Sequence, residues 1–163
     1  MPTVDDLSKV NLEVGQIAPD FSTQIQNPDG SIEDFNLYKT LADGEKVLLV
    51  FYPGDDTPGC TKQLCGIRDV YKEYRDLKVK VVGVNHADGK SHLKFIKKYD
   101  YPFGIVVDTD KSIRNSYGAT KLFFRNITTK RSVFLIDTDG KILFIFWGQQ
   151  NNEEILNLLK ASK

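Results

Sequence analysis

Cysteine and histidine are scarce in this sequence, which contains two of each among 163 residues. Two cysteines cannot form the set of several disulfides on which small secreted domains depend, and a chain of this length can bury a core without them. Cys60 and Cys65 also cannot form a structural zinc site with His86 and His92, whose spacing fits no common zinc motif. The sequence therefore predicts no metal.

The chain also lacks a surplus of charge of one sign. Its 22 lysines and arginines balance its 22 aspartates and glutamates, which leaves no basic excess for binding nucleic acid or an anionic membrane. The longest apolar runs, 47–52 and 142–147, are as long as strands and too short to cross a bilayer. The first residues carry acids where a secretory signal has a basic end. We therefore expect a soluble, cytoplasmic protein with no nucleic-acid or membrane partner.

Apolar periodicity and turn signals predict an α/β protein with one domain over residues 1–163. The middle of the chain alternates strands and helices, which is typical of right-handed parallel crossovers, and a hairpin at each end adds antiparallel strands. The expected architecture is a central mixed sheet flanked by helices. The predicted elements are a hairpin over 20–36, strands over 47–52, 79–85 and 105–107, helices over 60–78, 91–99 and 111–117, an irregular stretch over 119–130, a hairpin over 133–147 and a closing helix from 151 or 152 with Ile155, Leu158 and Leu159 inside.

Cys60 lies where a buried strand gives way to a helix. The carboxyl ends of strands in such sheets are where ligands bind, and free N–H groups at a helix start favour a thiolate over a thiol. The alternative is that Cys60 is a small buried hydrophobe without chemistry. The loop before it also approximates a phosphate-binding pattern, but Cys60 replaces the required lysine, and Asp55 and Asp56 would repel phosphate. The sequence therefore predicts no nucleotide and no other cofactor.

The spacing between Cys60 and Cys65 constrains any bond between them. In an intact helix, five residues separate the two side chains by about 140° and about 7.5 Å along the axis. Cys60 shares an inward stripe with Leu64 and Ile67, whereas Cys65 lies with Arg68 on the polar side. A disulfide requires α-carbons within about 7 Å of each other, so the first turns would have to unwind. The pair is either unrelated or a redox switch that melts local structure.

The segment FYPGDDTPGCTKQLCGIRD resembles the active-site stretch of peroxiredoxins, in particular the bacterioferritin-comigratory (peroxiredoxin Q) subfamily. That subfamily's register of proline, threonine, peroxidatic cysteine and resolving cysteine is matched by Pro53, Thr57, Cys60 and Cys65. Arg131, at the head of the sequence RSVFLID, extends the resemblance, and so does APDF near the start of the chain.

The resemblance implies a thioredoxin-like fold with an N-terminal β-hairpin extension and a thioredoxin-dependent, atypical 2-Cys peroxidase. Cys60 would attack hydrogen peroxide or an alkyl hydroperoxide and become a sulfenic acid, and Cys65 would condense with it to an intramolecular disulfide. A thioredoxin-type protein would then reduce that disulfide. The protein would be a monomer or a weak homodimer with a role in antioxidant defence and redox homeostasis.

The resemblance also assigns roles around the sulfur. Thr57 would accept a hydrogen bond from the peroxide, Arg131 would offer a fork of donors and a permanent charge, and Pro53 would exclude water. Gln63 departs from the family, because many relatives carry an acid there that orients the arginine, and an amide oxygen attracts it less strongly. Two other functions stay open: a disulfide oxidoreductase, which usually needs a C-x-x-C pair, and a binding or chaperone-like module with inert cysteines.

Overall fold

The computed structural model describes residues 12–161. Its strands are β1 (Ser22–Gln26), β2 (Ile32–Asn36), β3 (Lys46–Phe51), β4 (Val79–Asn85), β5 (Ile105–Val107), β6 (Thr120–Phe123), β7 (Asn126–Thr129), β8 (Ser132–Ile136) and β9 (Ile142–Trp147). Its helices are α1 (Leu37–Ala42), α2 (Pro58–Asp69), α3 (Tyr71–Asp76), α4 (Gly89–Tyr99), α5 (Ser112–Ser116) and α6 (Asn152–Ala161). The acidic start of the chain, used above to predict its location, falls largely outside the described residues.

Seven of the strands form one mixed sheet, in the order β2-β1-β5-β4-β3-β8-β9. The central strands β3, β4 and β5 are parallel, and β1 and β8 join them in antiparallel fashion. The two predicted hairpins therefore flank a parallel centre, which confirms the expected mixed sheet with helices around it. Within residues 12–161, no helix combines the length and apolar character needed to span a membrane.

Strand β3 is buried on both faces of the sheet, as its unbroken apolar sequence predicts. Successive side chains point to opposite faces, so Leu48 and Val50 pack in one core while Leu49 and Phe51 pack in the other. The first core also contains Cys60 and is covered by α2, α3, α4 and α6. Tyr52, which follows β3, is buried in this first core. The loop that leads from Tyr52 to Cys60 therefore begins and ends at this core.

The helix predicted over 60–78 is two helices. Helix α2 ends at Asp69, α3 begins at Tyr71, and Val70 between them has a φ of −118° and a ψ of 16°, outside the helical range. The break redirects the chain, so Tyr71 belongs to the second helix and is only half-buried, whereas Tyr74 becomes fully buried. Apolar spacing alone missed the break because the periodicity of three and four continues across it.

The prediction of an irregular stretch over 119–130 is wrong, because a separate two-stranded hairpin, β6 with β7, lies there. Its turn is formed by Phe124 and Arg125, both with positive φ, a geometry that usually selects asparagine or glycine. The sequence thus lacks the usual turn signal. The structure also contains the short helix α1, which was not predicted, and α6 buries Leu156 where Leu158 was expected.

Candidate active site

Cys60 lies in the first turn of α2, directly after the loop that follows β3. Its side chain is 0% exposed and packs in the same core as Leu64 and Ile67, which confirms the predicted inward stripe. The helix begins with Pro58, whose missing N–H costs nothing at this position. The sulfur therefore combines apolar burial with the free N–H groups of a helix start.

Arg131 brings a permanent positive charge to the Cys60 sulfur. It directly precedes β8, and because Ser132 pairs with Phe51, the arginine stands beside the end of β3. Its Nη1 atom donates to Cys60 Sγ at 3.3 Å and to Gln63 Oε1 at 2.7 Å. A Cβ atom at residue 59 would lie 3.0 Å from Arg131 Nη2, so Gly59 lets the guanidinium lie close against the helix. The fold thus brings Arg131 into direct contact with Cys60, although the two residues are 71 positions apart in the chain.

Gln63 is the hydrogen-bond partner that orients Arg131. It is buried one turn after Cys60, and its backbone carbonyl accepts a hydrogen bond from Gln150 Nε2 at 3.3 Å. The Gln63 amide oxygen thus takes the place of the acid that the resemblance predicts. Only the guanidinium carries a charge in this hydrogen bond, because the amide is neutral.

The loop between β3 and α2, which precedes Cys60 in the chain, contains Pro53 and Thr57. Thr57 is the N-cap residue of α2, and its hydroxyl donates to the Gly54 carbonyl at 3.1 Å instead of capping the helix. Thr57 is exposed and Pro53 is half-buried. The structure therefore brings Arg131 and Gln63 into contact around Cys60, and it places Thr57 one turn before the cysteine with its hydroxyl turned to its own loop.

Cys65 is half-buried, as is Arg68, so the predicted polar side of α2 is only partly exposed at these residues. Its Sγ atom lies 3.5 Å from the Tyr101 hydroxyl, which also donates to the Thr61 carbonyl at 3.4 Å. Arg68 turns away and donates to the Tyr99 carbonyl at 2.7 Å. Both cysteines are free thiols in this structure.

Burial raises the pKa of the Tyr101 phenol far above its ordinary value, and the hydrogen bond with Cys65 raises it further. The phenol therefore keeps its proton at neutral pH and acts as a donor toward α2. Because one hydroxyl contacts both the first turn and the Cys65 sulfur, Tyr101 holds together the part of α2 that carries both cysteines.

Sequence reasoning missed two sets of contacts in this region. Tyr101 lies 36 positions from Cys65, and His92 lies 37 positions from Asp55, to which its ring donates a hydrogen bond. The sequence alone indicates only that Asp55 is unfavourable for phosphate and that His92 is an unsuitable zinc ligand. No local spacing could reveal these pairs, because parallel crossovers bring together segments far apart in the chain.

Comparison with known proteins identifies the family of this chain. Residues 14–145 match the AhpC/TSA family. The chain is 33% identical over 86% of its length to the chloroplastic peroxiredoxin Q of Triticum aestivum, and spans 61% of that protein. It is 35% identical over 95% of its length to the chloroplastic peroxiredoxin Q of Arabidopsis thaliana, and spans 69% of that protein.

The fold is also shared with solved structures. The peroxidoxin BcpB of Mycobacterium tuberculosis superposes with a TM-score of 0.81 at 26% identity, over 94% of this chain and 99% of its own. These similarities confirm the thioredoxin-like fold of a peroxiredoxin. The chain belongs to the AhpC/TSA family, within its branch of peroxiredoxin Q and bacterioferritin-comigratory proteins.

Proposed function

We propose that the protein is a thiol peroxidase that reduces hydrogen peroxide and alkyl hydroperoxides. The observation that carries the proposal is the 3.3 Å contact between Arg131 Nη1 and the Cys60 sulfur at the start of α2. A guanidinium keeps its charge at every relevant pH and favours the thiolate, which is the nucleophilic form of cysteine. Membership in the peroxiredoxin family supports the same chemistry.

The first step is attack of the Cys60 thiolate on the nearer peroxide oxygen. The sulfur–oxygen bond forms as the O–O bond breaks, so Cys60 is oxidised to a sulfenic acid and the leaving oxygen takes a proton to become water or an alcohol. Negative charge shifts onto that oxygen during the step, and fixed donors aimed at it lower the barrier. Arg131 supplies such donors. The Thr57 hydroxyl, which donates to the Gly54 carbonyl, accepts a hydrogen bond from the peroxide.

The second step is condensation of the Cys65 thiol with the sulfenic acid. A disulfide forms between the two cysteines and water leaves, after which a thioredoxin-type dithiol reduces the disulfide and is itself oxidised. Because Cys60 and Cys65 diverge on an intact α2, the bond requires the first turns of the helix to unwind. Breaking the contacts of Tyr101 with α2 is part of that change.

We extend the proposal to the setting of the enzyme. Its partners are a hydroperoxide and a thioredoxin-type reductant, and it works as a monomer or weak homodimer in the cytoplasm, where thiols are kept reduced. The full burial of Cys60 argues against the alternative of a disulfide oxidoreductase, which needs a sulfur accessible to protein thiols.

The test is peroxide consumption by the purified protein in the presence of thioredoxin, thioredoxin reductase and NADPH. We expect NADPH oxidation that depends on both peroxide and the protein. Insulin reduction without peroxide consumption would instead favour a disulfide oxidoreductase. Alkylation of Cys60 as slow as that of an ordinary buried thiol, with no peroxide consumption, would favour a binding module.

A further inference from the structure

A buried polar cluster anchors the loop that precedes α2. Asp55 is the centre of this cluster, which we call the Asp55 clamp: its Oδ1 accepts from the Tyr52 hydroxyl at 2.7 Å, and its Oδ2 accepts from the Ser91 hydroxyl at 2.6 Å and from His92 Nδ1 at 2.7 Å. The Asp55 side chain is 7% exposed and that of His92 is 0% exposed. The clamp therefore joins the loop to the start of α4 in a site with little access to water.

Each partner in the clamp can only act as a donor toward Asp55. Burial raises the pKa of Tyr52 well above its ordinary value, and the nearby Asp55 charge raises it further, so its phenol stays protonated. Burial alone would raise the pKa of Asp55, but the hydrogen bonds and charge of His92, together with Ser91 and Tyr52, hold it below its usual value. A carboxylate with three donors is thus the stable form at neutral pH.

The clamp connects to the active site through the neighbouring residue. Gly54 directly precedes Asp55, and its carbonyl accepts the hydrogen bond from the Thr57 hydroxyl. The start of the loop is also fixed, because Asn85 Nδ2 donates to the Tyr52 carbonyl at 2.8 Å. The position of Thr57, one turn before Cys60, therefore depends on a loop that is held at Tyr52 and at Asp55.

The next residue provides a natural comparison. Asp56 also bonds to α4, through Lys98 Nζ and the Tyr99 hydroxyl at 2.7 Å each, but its side chain is 44% exposed. Exposed ion pairs contribute little, because water competes with both partners. A buried carboxylate with several charge-assisted bonds fixes geometry far more strictly.

We propose that Asp55 is a positioning residue for the peroxidase, and that its clamp fixes the loop that presents Thr57 to the peroxide bound at Cys60. The inference rests on the proposed function. Asp55 touches neither the peroxide nor Cys60 in this scheme, and acts through Gly54 and Thr57. Its loss should therefore impair the reaction with peroxide and spare the thiolate itself, which depends on Arg131 and the start of α2.

The experiment compares two reactions of the same sulfur. In a Cys65→Ser background, only Cys60 is available, and its rate constants with hydrogen peroxide and with iodoacetamide are measured across pH. Iodoacetamide reports the thiolate and needs no hydrogen bond to the Thr57 hydroxyl oxygen. We expect Asp55→Asn to lower the peroxide rate constant by about ten- to a hundredfold, since a small misplacement of a catalytic group has effects of this size. The alkylation rate constant should change by less than about twofold, the size expected of a peripheral effect, and the pH midpoint of alkylation should not move.

Asp56→Asn in the same background is the matched control. Asparagine tolerates the positive φ of residue 56 as aspartate does, so the backbone should keep its form. Both rate constants should stay within about twofold of the background, as expected for an exposed pair. If Asp55→Asn leaves too little folded protein, Ser91→Ala removes one bond and keeps the pair of Asp55 with His92. It should lower the peroxide rate alone, by about two- to fivefold.

The outcomes separate the two proposals. Equal peroxide rates in the background, Asp55→Asn and Ser91→Ala would overturn the positioning role while leaving the peroxidase intact. Parallel changes in the peroxide and alkylation rates would also overturn it, because they would show a general structural effect on Cys60. A background protein that reacts with peroxide no faster than free cysteine would overturn the proposed function, and this inference with it.

Discussion

The two cysteines of α2 stand on one helix in opposite surroundings. Cys60 is fully buried and has the Arg131 guanidinium 3.3 Å away, whereas Cys65 is half-buried and has a neutral phenol, that of Tyr101, 3.5 Å away. Helix geometry accounts for the contrast, since five residues turn a side chain by about 140°. Arg131 places a permanent positive charge beside the first sulfur, whereas the phenol offers the second one only a neutral contact.

In the proposed mechanism, the two thiols act in different steps. The sulfur beside a fixed cation suits the reaction with peroxide, and the sulfur held by a weak contact suits a later step that requires it to move. Variants around Cys60 should therefore affect the reaction with peroxide, and variants around Cys65 should affect disulfide formation.

The largest effect is expected from Cys60→Ser. A serine hydroxyl does not ionise near neutral pH, so no nucleophile of comparable strength remains to attack the peroxide oxygen. Peroxide consumption in the thioredoxin-coupled assay should fall to the rate without protein. Residual turnover would mean that Cys65 can replace Cys60, and the contrast between the two thiols would be lost.

Cys65→Ser should act only after the first turnover. The burst of peroxide consumption should keep its wild-type rate, and the protein should then stop as a Cys60 sulfenic acid, unless a small thiol is added to reduce it. Rapid mixing and intact-mass measurement distinguish the two phases. Full thioredoxin-linked activity in this variant would show that the resolving thiol lies elsewhere, for example on a second copy of the chain.

Arg131→Lys keeps the charge beside Cys60 but removes the planar fork. One ammonium cannot hold the sulfur, Gln63 and the peroxide in the same geometry. We expect the first-turnover rate to fall by about ten- to a thousandfold, comparable to the removal of one oxyanion donor. An unchanged rate would reduce Arg131 to an ordinary residue at the start of a strand.

The smallest effect is expected from Tyr101→Phe, which removes the hydroxyl that contacts Cys65 and the Thr61 carbonyl. Loss of these bonds should ease the unwinding of α2 and speed disulfide formation by about two- to tenfold, the equivalent of one typical hydrogen bond. The rate of the peroxide step should not change. Tyr99→Phe is the control, because its hydroxyl bonds to Asp56 and not to α2. Equal disulfide rates in Tyr101→Phe and the wild type would contradict this role.

The sequence predicted the sheet well because its strands carry strong local signals. The apolar run of β3 and the Pro-Asp-Gly turn between β1 and β2 each specify their structure within a few residues. The hairpin of β6 and β7 escaped prediction because its turn uses Phe124 and Arg125, residues rarely found with positive φ. Local sequence patterns thus predict strands and turns correctly where each residue type is common in the conformation it adopts.

The candidate site was only partly predictable for a different reason. The start of α2 and the resemblance to peroxiredoxins were enough to select Cys60, Thr57 and Arg131 from the sequence. The contact of Tyr101 with Cys65 and that of Asp55 with His92 each join segments more than 30 positions apart. Tyr101, just after α4, packs on α2, whereas His92, within α4, packs on the loop before α2. Such contacts depend on tertiary structure, so the spacing of residues in the sequence does not predict them.

In the proposed mechanism, Cys60 and Cys65 bond within one chain, and α2 must unwind to allow it. Amide hydrogen exchange on the reduced and the peroxide-treated protein tests this most directly. We expect faster exchange over residues 61–66 after oxidation, with unchanged protection in β3 and β8, and a lower melting temperature for the oxidised form. Identical exchange over residues 61–66 in the two forms would show that Cys60 and Cys65 do not bond within one chain.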